Sequence, residues 1–211
     1  MRLRKSIILF SFLFFLSAFF IFTPRVFASD LNSNGIQDVD EAEVIVNSNV
    51  SLPAGEYVFN NLTITNNAVL TLEGDPLSSN DFKGVKINAV NITIDAGSSI
   101  SADGKGYGAN QGPGAGKDVN GYSNPGASYG GISSGNSDST YGSATKPIDL
   151  GSGGTTNGGG AVRLIISDNF TNNGIVTANG NVSSSGGSIY VTAKNITGGG
   201  KFTANGSNIK N

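Results

Sequence analysis

Along the body of the chain apolar and polar residues alternate, and the alternation returns in copies. Val85-Lys-Ile-Asn-Ala89 runs into Ile92-Thr-Ile94, Val162-Arg-Leu-Ile-Ile166 repeats the theme, and Ile189-Tyr-Val-Thr-Ala193 runs into Ile196. A looser copy is Tyr57-Val-Phe59, Leu62-Thr-Ile64 and Val69-Leu-Thr-Leu72. A pentapeptide follows three of the copies: Ile100-Ser-Ala-Asp-Gly104, Val176-Thr-Ala-Asn-Gly180 and Phe202-Thr-Ala-Asn-Gly206, the last two 26 residues apart. Side chains on a strand point to opposite faces with period two. Val176 and Ala178 therefore belong to one face and Thr177 and Asn179 to the other, with Asn179-Gly180 as turn residues. No segment of this body carries a 3.6-residue apolar period long enough for a core helix.

A β unit of about 26 residues cannot bury its apolar face alone, but stacking on copies of itself can bury it. The pattern predicts an all-β chain, specifically a right-handed parallel β-helix (a β-solenoid). The alternative is an antiparallel β-sandwich, which also consists of short strands between turn signals.

Residues 1–28 follow another pattern. Arg2, Arg4 and Lys5 precede an apolar run from Ile7 to Phe22, broken only by Ser11 and Ser17. Thr23-Pro24 ends the run, and Val26-Phe27-Ala28 places small residues at the −3 and −1 positions of a cleavage site. This is the layout of a secretory signal peptide, and it predicts a secreted or cell-surface protein with no membrane segment after cleavage. An uncleaved anchor is the alternative, although the run falls short of the roughly 20 residues of a span.

Removing the signal leaves nine basic against fifteen acidic residues, and only Phe59, Phe82, Phe170 and Phe202 of the phenylalanines. The remainder is glycine-rich, apolar-poor and mildly acidic. It suits a thin repetitive fold better than a thick globular core. The chain has no Cys and no His, which excludes a disulfide framework, thiolate or imidazole catalysis and the usual zinc sites. With no basic excess, nucleic acid is not an expected partner. The oligomeric state is left open.

From 104 to 160 the alternation stops in favour of Gly, Ser, Asn, Pro and Tyr, as in Gly112-Pro-Gly-Ala-Gly116 and Gly151-Ser-Gly-Gly154. The stretch is too long for an ordinary connection. It reads first as a flexible, solvent-exposed excursion. The other reading is a glycine-rich loop packed along the strands and held by Tyr107, Tyr122, Tyr129 and Tyr141. The expected organisation is a signal at 1–28, an N-terminal segment at 29–47, β-solenoid at 48–103, the loop at 104–160 and β-solenoid again at 161–211.

Several of these pieces carry a resemblance: Ile94-Asp-Ala-Gly-Ser-Ser-Ile-Ser-Ala-Asp-Gly-Lys-Gly-Tyr-Gly108, Gly112-Pro-Gly114, Tyr141-Gly-Ser143, Leu150-Gly-Ser-Gly-Gly154, Gly159-Gly-Ala-Val-Arg-Leu164 and Gly186-Gly-Ser-Ile-Tyr-Val191. Over roughly 57–206 the chain resembles the glycine-rich β-helical segments of large bacterial cell-surface, adhesin-like proteins. That resemblance implies an adhesive or envelope role, with a surface glycan or an envelope component as partner.

One constellation carries ion chemistry. Asp30-Leu-Asn-Ser-Asn-Gly-Ile-Gln-Asp-Val-Asp-Glu41 fits the twelve-position calcium loop at every defined position. Asp30, Asn32 and Asn34 would ligate from positions 1, 3 and 5, the carbonyl of Ile36 from 7, Asp38 from 9, and Glu41 bidentately from 12, with Gly35 at the sharp turn. Ca2+ is therefore the expected ion, in a structural role. The bland alternative is an acidic, solvated tail.

Other signals are weaker. Gly112–Asp118 imitates a phosphate loop but has the wrong glycine spacing, and Asp118 stands where Ser or Thr must hold magnesium. A carbohydrate-active β-helix enzyme would need paired carboxylates, for which Asp95, Asp103 and Asp168 are the candidates. As isolated acids at strand ends they read as turn residues, so no enzyme is expected. The sequons at Asn49, Asn61, Asn91, Asn169, Asn181, Asn195 and Asn205 read as structural positions, several of them where Asn would stack on Asn. A flat threonine face for ice, suggested by Thr63-Ile-Thr65 and Asn91-Ile-Thr-Ile94, is set aside because its spacing does not persist in the later copies.

Overall fold

The computed structural model describes residues 31, 42–116, 126–133 and 140–207. These residues contain strands and no helix. The strands are β1 (Val44–Val46), β2 (Val50–Leu52), β3 (Gly55–Ile64), β4 (Val69–Leu72), β5 (Val85–Ile94), β6 (Ser99–Ser101), β7 (Ala161–Ile166), β8 (Asn169–Asn172), β9 (Ile175–Thr177), β10 (Ser188–Thr192), β11 (Asn195–Thr197) and β12 (Lys201–Thr203).

The chain passes back and forth between two sheets. One has the order β1-β3-β5-β7-β10, with β8 beside β5 and β11 beside β8. The other has the order β12-β9-β6-β4-β2. Every strand pairing among the described residues is parallel. The antiparallel sandwich is thereby excluded as the arrangement of these strands. The repeats found in the sequence are the pairs: Ile100 lies opposite Val176 and Val176 opposite Phe202.

Alternation decides which side chains go inside. On β5, Val85, Ile87 and Ala89 are buried, Val90 and Asn91 both face outward, and Ile92 and Ile94 are buried again. Two consecutive outward residues shift the phase by one, and β3 does the same at Asn60 and Asn61. In the next copy this point gains a residue. Val85 pairs with Val162 but Ile92 with Phe170, so the long strand divides into β7 and β8 around Ser167 and Asp168.

The core consists of rows that run from strand to strand. Leu62, Ile92 and Phe170 form one row, and Leu70, Ile100 and Val176 another, all at 0–1 % exposure. Each such side chain contributes on the order of 1.5–3 kcal/mol when fully buried. The row of Ile64 and Ile94 continues into a buried Asn172. Its amide oxygen accepts from Gly174 N–H at 3.1 Å, which satisfies the carbonyl inside an apolar setting.

The two edges of the sheets differ. Val44, Val46 and Leu52 of β1 and β2 are buried, whereas Ile196 of β11 and Phe202 of β12 are 54 % and 46 % exposed.

The glycine-rich segment corrects the first expectation made for it. Residues 130–132 and 142–146 are exposed, but the parts around 102–116, 127–128 and 150–160 form a packed layer and not a solvent-exposed excursion. Leu150, Ser152 and Ser128 are buried, at 0–1 % exposure. Its backbone bonds reach across the layer: Gly106 N–H to Gly158 O, Tyr107 N–H to Gly151 O, Gly153 N–H to Gln111 O and Gly159 N–H to Ser185 O, all 2.7–3.0 Å. Glycine is required because backbone lies directly on backbone. A Cβ on Gly153 would stand 1.9 Å from Gly108 O, and one on Gly187 would stand 1.9 Å from Gly160 O.

Candidate functional site

Asp30, Asn32, Asn34, Ile36, Asp38 and Glu41 lie outside the described residues. Within that loop only Leu31 is described, and it is partly buried and packs on the core. Among the described residues no group of three or more His, Cys, Asp or Glu side chains is placed to hold a metal.

The three isolated acids sit in different turns, each with local work. Asp95 follows β5, and its carbonyl accepts from Ser98 N–H at 3.0 Å. Asp103 follows β6, and its carboxylate accepts from Asn179 N–H at 2.6 Å. Asp168 stands between β7 and β8, with Lys194 Nζ at 3.5 Å. The structure does not bring them together.

Two tyrosines named from the sequence hold the glycine layer. The Tyr141 hydroxyl donates to Leu150 O at 2.6 Å and lies 2.8 Å from Ser152 Oγ. The Tyr129 hydroxyl lies 2.7 Å from Ser188 Oγ, and the two rings meet edge to face with centroids 4.7 Å apart. Burial pushes the Tyr141 hydroxyl far above its usual value. Tyr107 is half-buried in the same layer, and Tyr122 lies outside the described residues.

The outward face of the first sheet is ordered into rows at right angles to the strands. Asn61, Asn91, Asn169 and Asn195 form an amide ladder. Asn91 Nδ2 donates to Asn61 Oδ1 at 2.8 Å, Asn169 Nδ2 to Asn91 Oδ1 at 3.1 Å and Asn195 Nδ2 to Asn169 Oδ1 at 3.1 Å. Beside it runs a threonine row, Thr63, Thr93, Thr171 and Thr197, in continuous register. The threonine spacing thus persists through the four copies on β3, β5, β8 and β11, contrary to its reading in the linear sequence, whereas β1 places Ile45 at that position. The extra residue at the β7–β8 junction hides it there. The companion row is amide rather than hydroxyl.

Nearer the start of β3 and β5, and continuing on β7 and β10, Glu56, Lys86, Arg163 and Tyr190 stand opposite one another in turn. Glu56 Oε1 accepts from Lys86 Nζ at 2.7 Å and from Asn88 Nδ2 at 2.8 Å. Burial raises the pKa of this carboxyl, but these hydrogen bonds and the charges of Lys86 and Arg163 outweigh burial and hold it below the ordinary value. Arg163 makes no ion pair among the described residues. Its guanidinium lies over the Tyr190 ring, 5.7 Å from the centroid, and its buried Nε has no hydrogen-bond partner. Val58, Asn88, Ile165 and Thr192 form the adjoining row. The row from Glu56 to Tyr190 was not singled out in the sequence. Aligning Gly55-Glu56-Tyr57, Val85-Lys86-Ile87, Val162-Arg163-Leu164 and Ile189-Tyr190-Val191 would have exposed it, because each member holds the same outward position of its copy.

Comparison with known proteins matches no family model, no curated protein and no solved structure. No helix among the described residues is long and apolar enough to cross a membrane.

Proposed function

We propose that this is an exported, non-enzymatic surface module with a structural or adhesive role, built as a right-handed parallel β-helix and stabilised at its N-terminal end by Ca2+. The observation that carries the reading is the continuity of the outward rows. Asn61 to Asn195 and Thr63 to Thr197 keep one residue type through four successive copies. A flat polar face repeated at strand spacing, about 4.8 Å, suits contact with an extended or repetitive surface. The parallel pairings and the regular alternation between two sheets support the β-helix. The signal layout of residues 1–28 and the resemblance to bacterial surface proteins support export. The complete calcium-loop pattern from Asp30 to Glu41 supports the ion, with the carboxylates of Asp30, Asp38 and Glu41 as its charged ligands.

The test is to express the full chain in a bacterial host and follow it by fractionation, mass spectrometry and calorimetry. The expected product lies outside the cytoplasm, begins at Ser29, is retained on isolated cell envelopes and releases no new reducing ends from polysaccharides. It gives a saturable heat with calcium that disappears in the Asp30→Ala, Glu41→Ala double variant. Full-length protein confined to the cytoplasm overturns the export reading. Polysaccharide cleavage that is lost on replacing Asp95, Asp103 or Asp168 overturns the non-enzymatic one. Absence of heat at millimolar calcium overturns the ion.

A further inference from the structure

Arg163 is the only arginine after residue 28. It stands in a row whose other charges are already matched, since Lys86 and Glu56 form an ion pair at 2.7 Å. Glu56 feels the charge of Arg163 as well, but its carboxylate is ion-paired with Lys86, so the row carries one cation in excess. The Arg163 guanidinium lies over the Tyr190 ring, 5.7 Å from the centroid, and its buried Nε has no hydrogen-bond partner among the described residues. A guanidinium is a rigid fork of donors that matches a carboxylate bidentately. Such a group, pre-positioned and unmatched, calls for an anion.

The surroundings select the carrier of that anion. Glu56, Lys86, Arg163 and Tyr190 lie on the open face of a sheet, not in a groove that could grip peptide side chains. At this level β5 and β7 are paired on both sides and only β3 and β10 present an edge to strand addition, so Arg163, on β7, stands inside the sheet face and not on an edge. What the face offers is a tyrosine ring, the Ile165 side chain, the amide of Asn88 and the hydroxyl of Thr192, side by side in register. Aromatic and aliphatic surface beside amides and hydroxyls suits the mixed apolar and polar faces of a sugar ring.

We propose that the Glu56–Lys86–Arg163–Tyr190 row is a binding site for a carboxylate-bearing polysaccharide. A uronate carboxylate pairs with Arg163, and an adjacent sugar ring lies on Tyr190. The site deepens the adhesive reading above by naming the ligand class and the residues that take it.

The test is electrophoresis of the exported protein through gels containing polygalacturonate, fully methyl-esterified polygalacturonate, dextran or dextran sulfate, at physiological salt. Expected is retardation by polygalacturonate alone. Arg163→Ala weakens the apparent affinity at least tenfold and Tyr190→Ala severalfold. Arg163→Lys retains part of it, and Lys194→Ala and Lys201→Ala leave it unchanged. Circular dichroism of each variant confirms the fold, and Arg163→Lys, which keeps the charge, guards against a folding artefact.

Equal retardation by the methyl ester overturns the carboxylate. Equal retardation by dextran sulfate shows unselective charge binding and overturns the site. So does wild-type affinity in Arg163→Ala. Absence of retardation together with retention on cell envelopes overturns this site while leaving the adhesive reading standing. Loss of both overturns both.

Discussion

Asn91 donates its side-chain amide to Asn61 at 2.8 Å and accepts from both the backbone N–H and the side-chain amide of Asn169, at 3.0 and 3.1 Å. One residue thus joins three strands that are far apart in sequence. Replacing it strands the groups on either side, which costs about 1–3 kcal/mol when they lie out of water and less when solvent reaches them. Asn91→Ala is expected to lower stability by about 1–2 kcal/mol in urea denaturation. Asn91→Asp is expected to be at least as damaging, because it replaces the donor with a carboxylate oxygen facing Asn61 Oδ1. An unchanged midpoint in both variants would show that solvent can replace the ladder.

Tyr141 anchors the glycine layer, and its hydroxyl is the group to remove. Tyr141→Phe leaves Leu150 O without this donor, at an expected cost of about 1–3 kcal/mol. The loss should appear first as faster proteolysis within 104–160 rather than as global unfolding. Burial raises the pKa of this hydroxyl in the folded protein. Its contribution is therefore complete below the unfolded value, near 10. It is lost as pH rises beyond that toward the folded value. Wild type should lose stability above about pH 10, and Tyr141→Phe should lose less over the same interval.

The glycine layer predicts a contrast between substitutions of equal size. Gly153→Ala and Gly187→Ala drive a methyl into backbone oxygens at 1.9 Å and are expected to cost several kcal/mol or to prevent the layer from forming. At Gly131 a Cβ meets nothing within 4 Å, and the backbone φ is not in the left-handed region, so Gly131→Ala is expected to be neutral or slightly stabilising. Thermal melting of the three variants distinguishes packing from a general intolerance of alanine.

Glu56 and Glu73 govern the acid limb. For both, burial raises the pKa, and the lysine partner's hydrogen bond, a second side-chain donor and the lysine charge together outweigh it. A carboxyl whose folded pKa is depressed contributes stability that is fully present above its unfolded value, near 4.3. That stability is lost as pH falls through the folded value. Stability should therefore decline below about pH 4.5. The decline should be shallower in Glu56→Gln and shallower again with Glu73→Gln added. A denaturation series from pH 3 to 7 reads the slopes directly, and identical slopes in all three proteins would remove these pairs from the account.

The all-β character, the inward residues and the pairing of Ile100, Val176 and Phe202 were legible because alternation and repetition are one-dimensional signals. The persistence of the threonine row was not, because one extra residue at Ser167–Asp168 displaces the second half of that copy. The ordering of the glycine-rich stretch was hidden for a different reason. Glycine composition usually signals freedom, and only the proximity of Gly108 to Gly153, or Gly160 to Gly187, shows it acting as a spacer-free contact between backbones. Tyr141 carried the correct hint, since a ring has no use in a solvated linker. Arg163 and Tyr190 were missed as a pair because their partnership lies across the sheet and shows in the sequence only when the copies are set one above another.

The uneven registers have a bearing on how such a molecule can change length. Gly55 pairs with Val85, Val85 with Val162 and Ala161 with Ser188, so successive copies are separated by very different stretches of chain yet reach the same positions. Added sequence is accommodated wholly at the turns, while the rows inside and outside tolerate no partial step. Viable insertions and duplications are then confined to complete rounds, each lengthening the body by about 4.8 Å. Each complete duplication that copies β10–β12 also adds another rung to the amide ladder through a duplicate of Asn195, so the outward face grows in proportion to the chain.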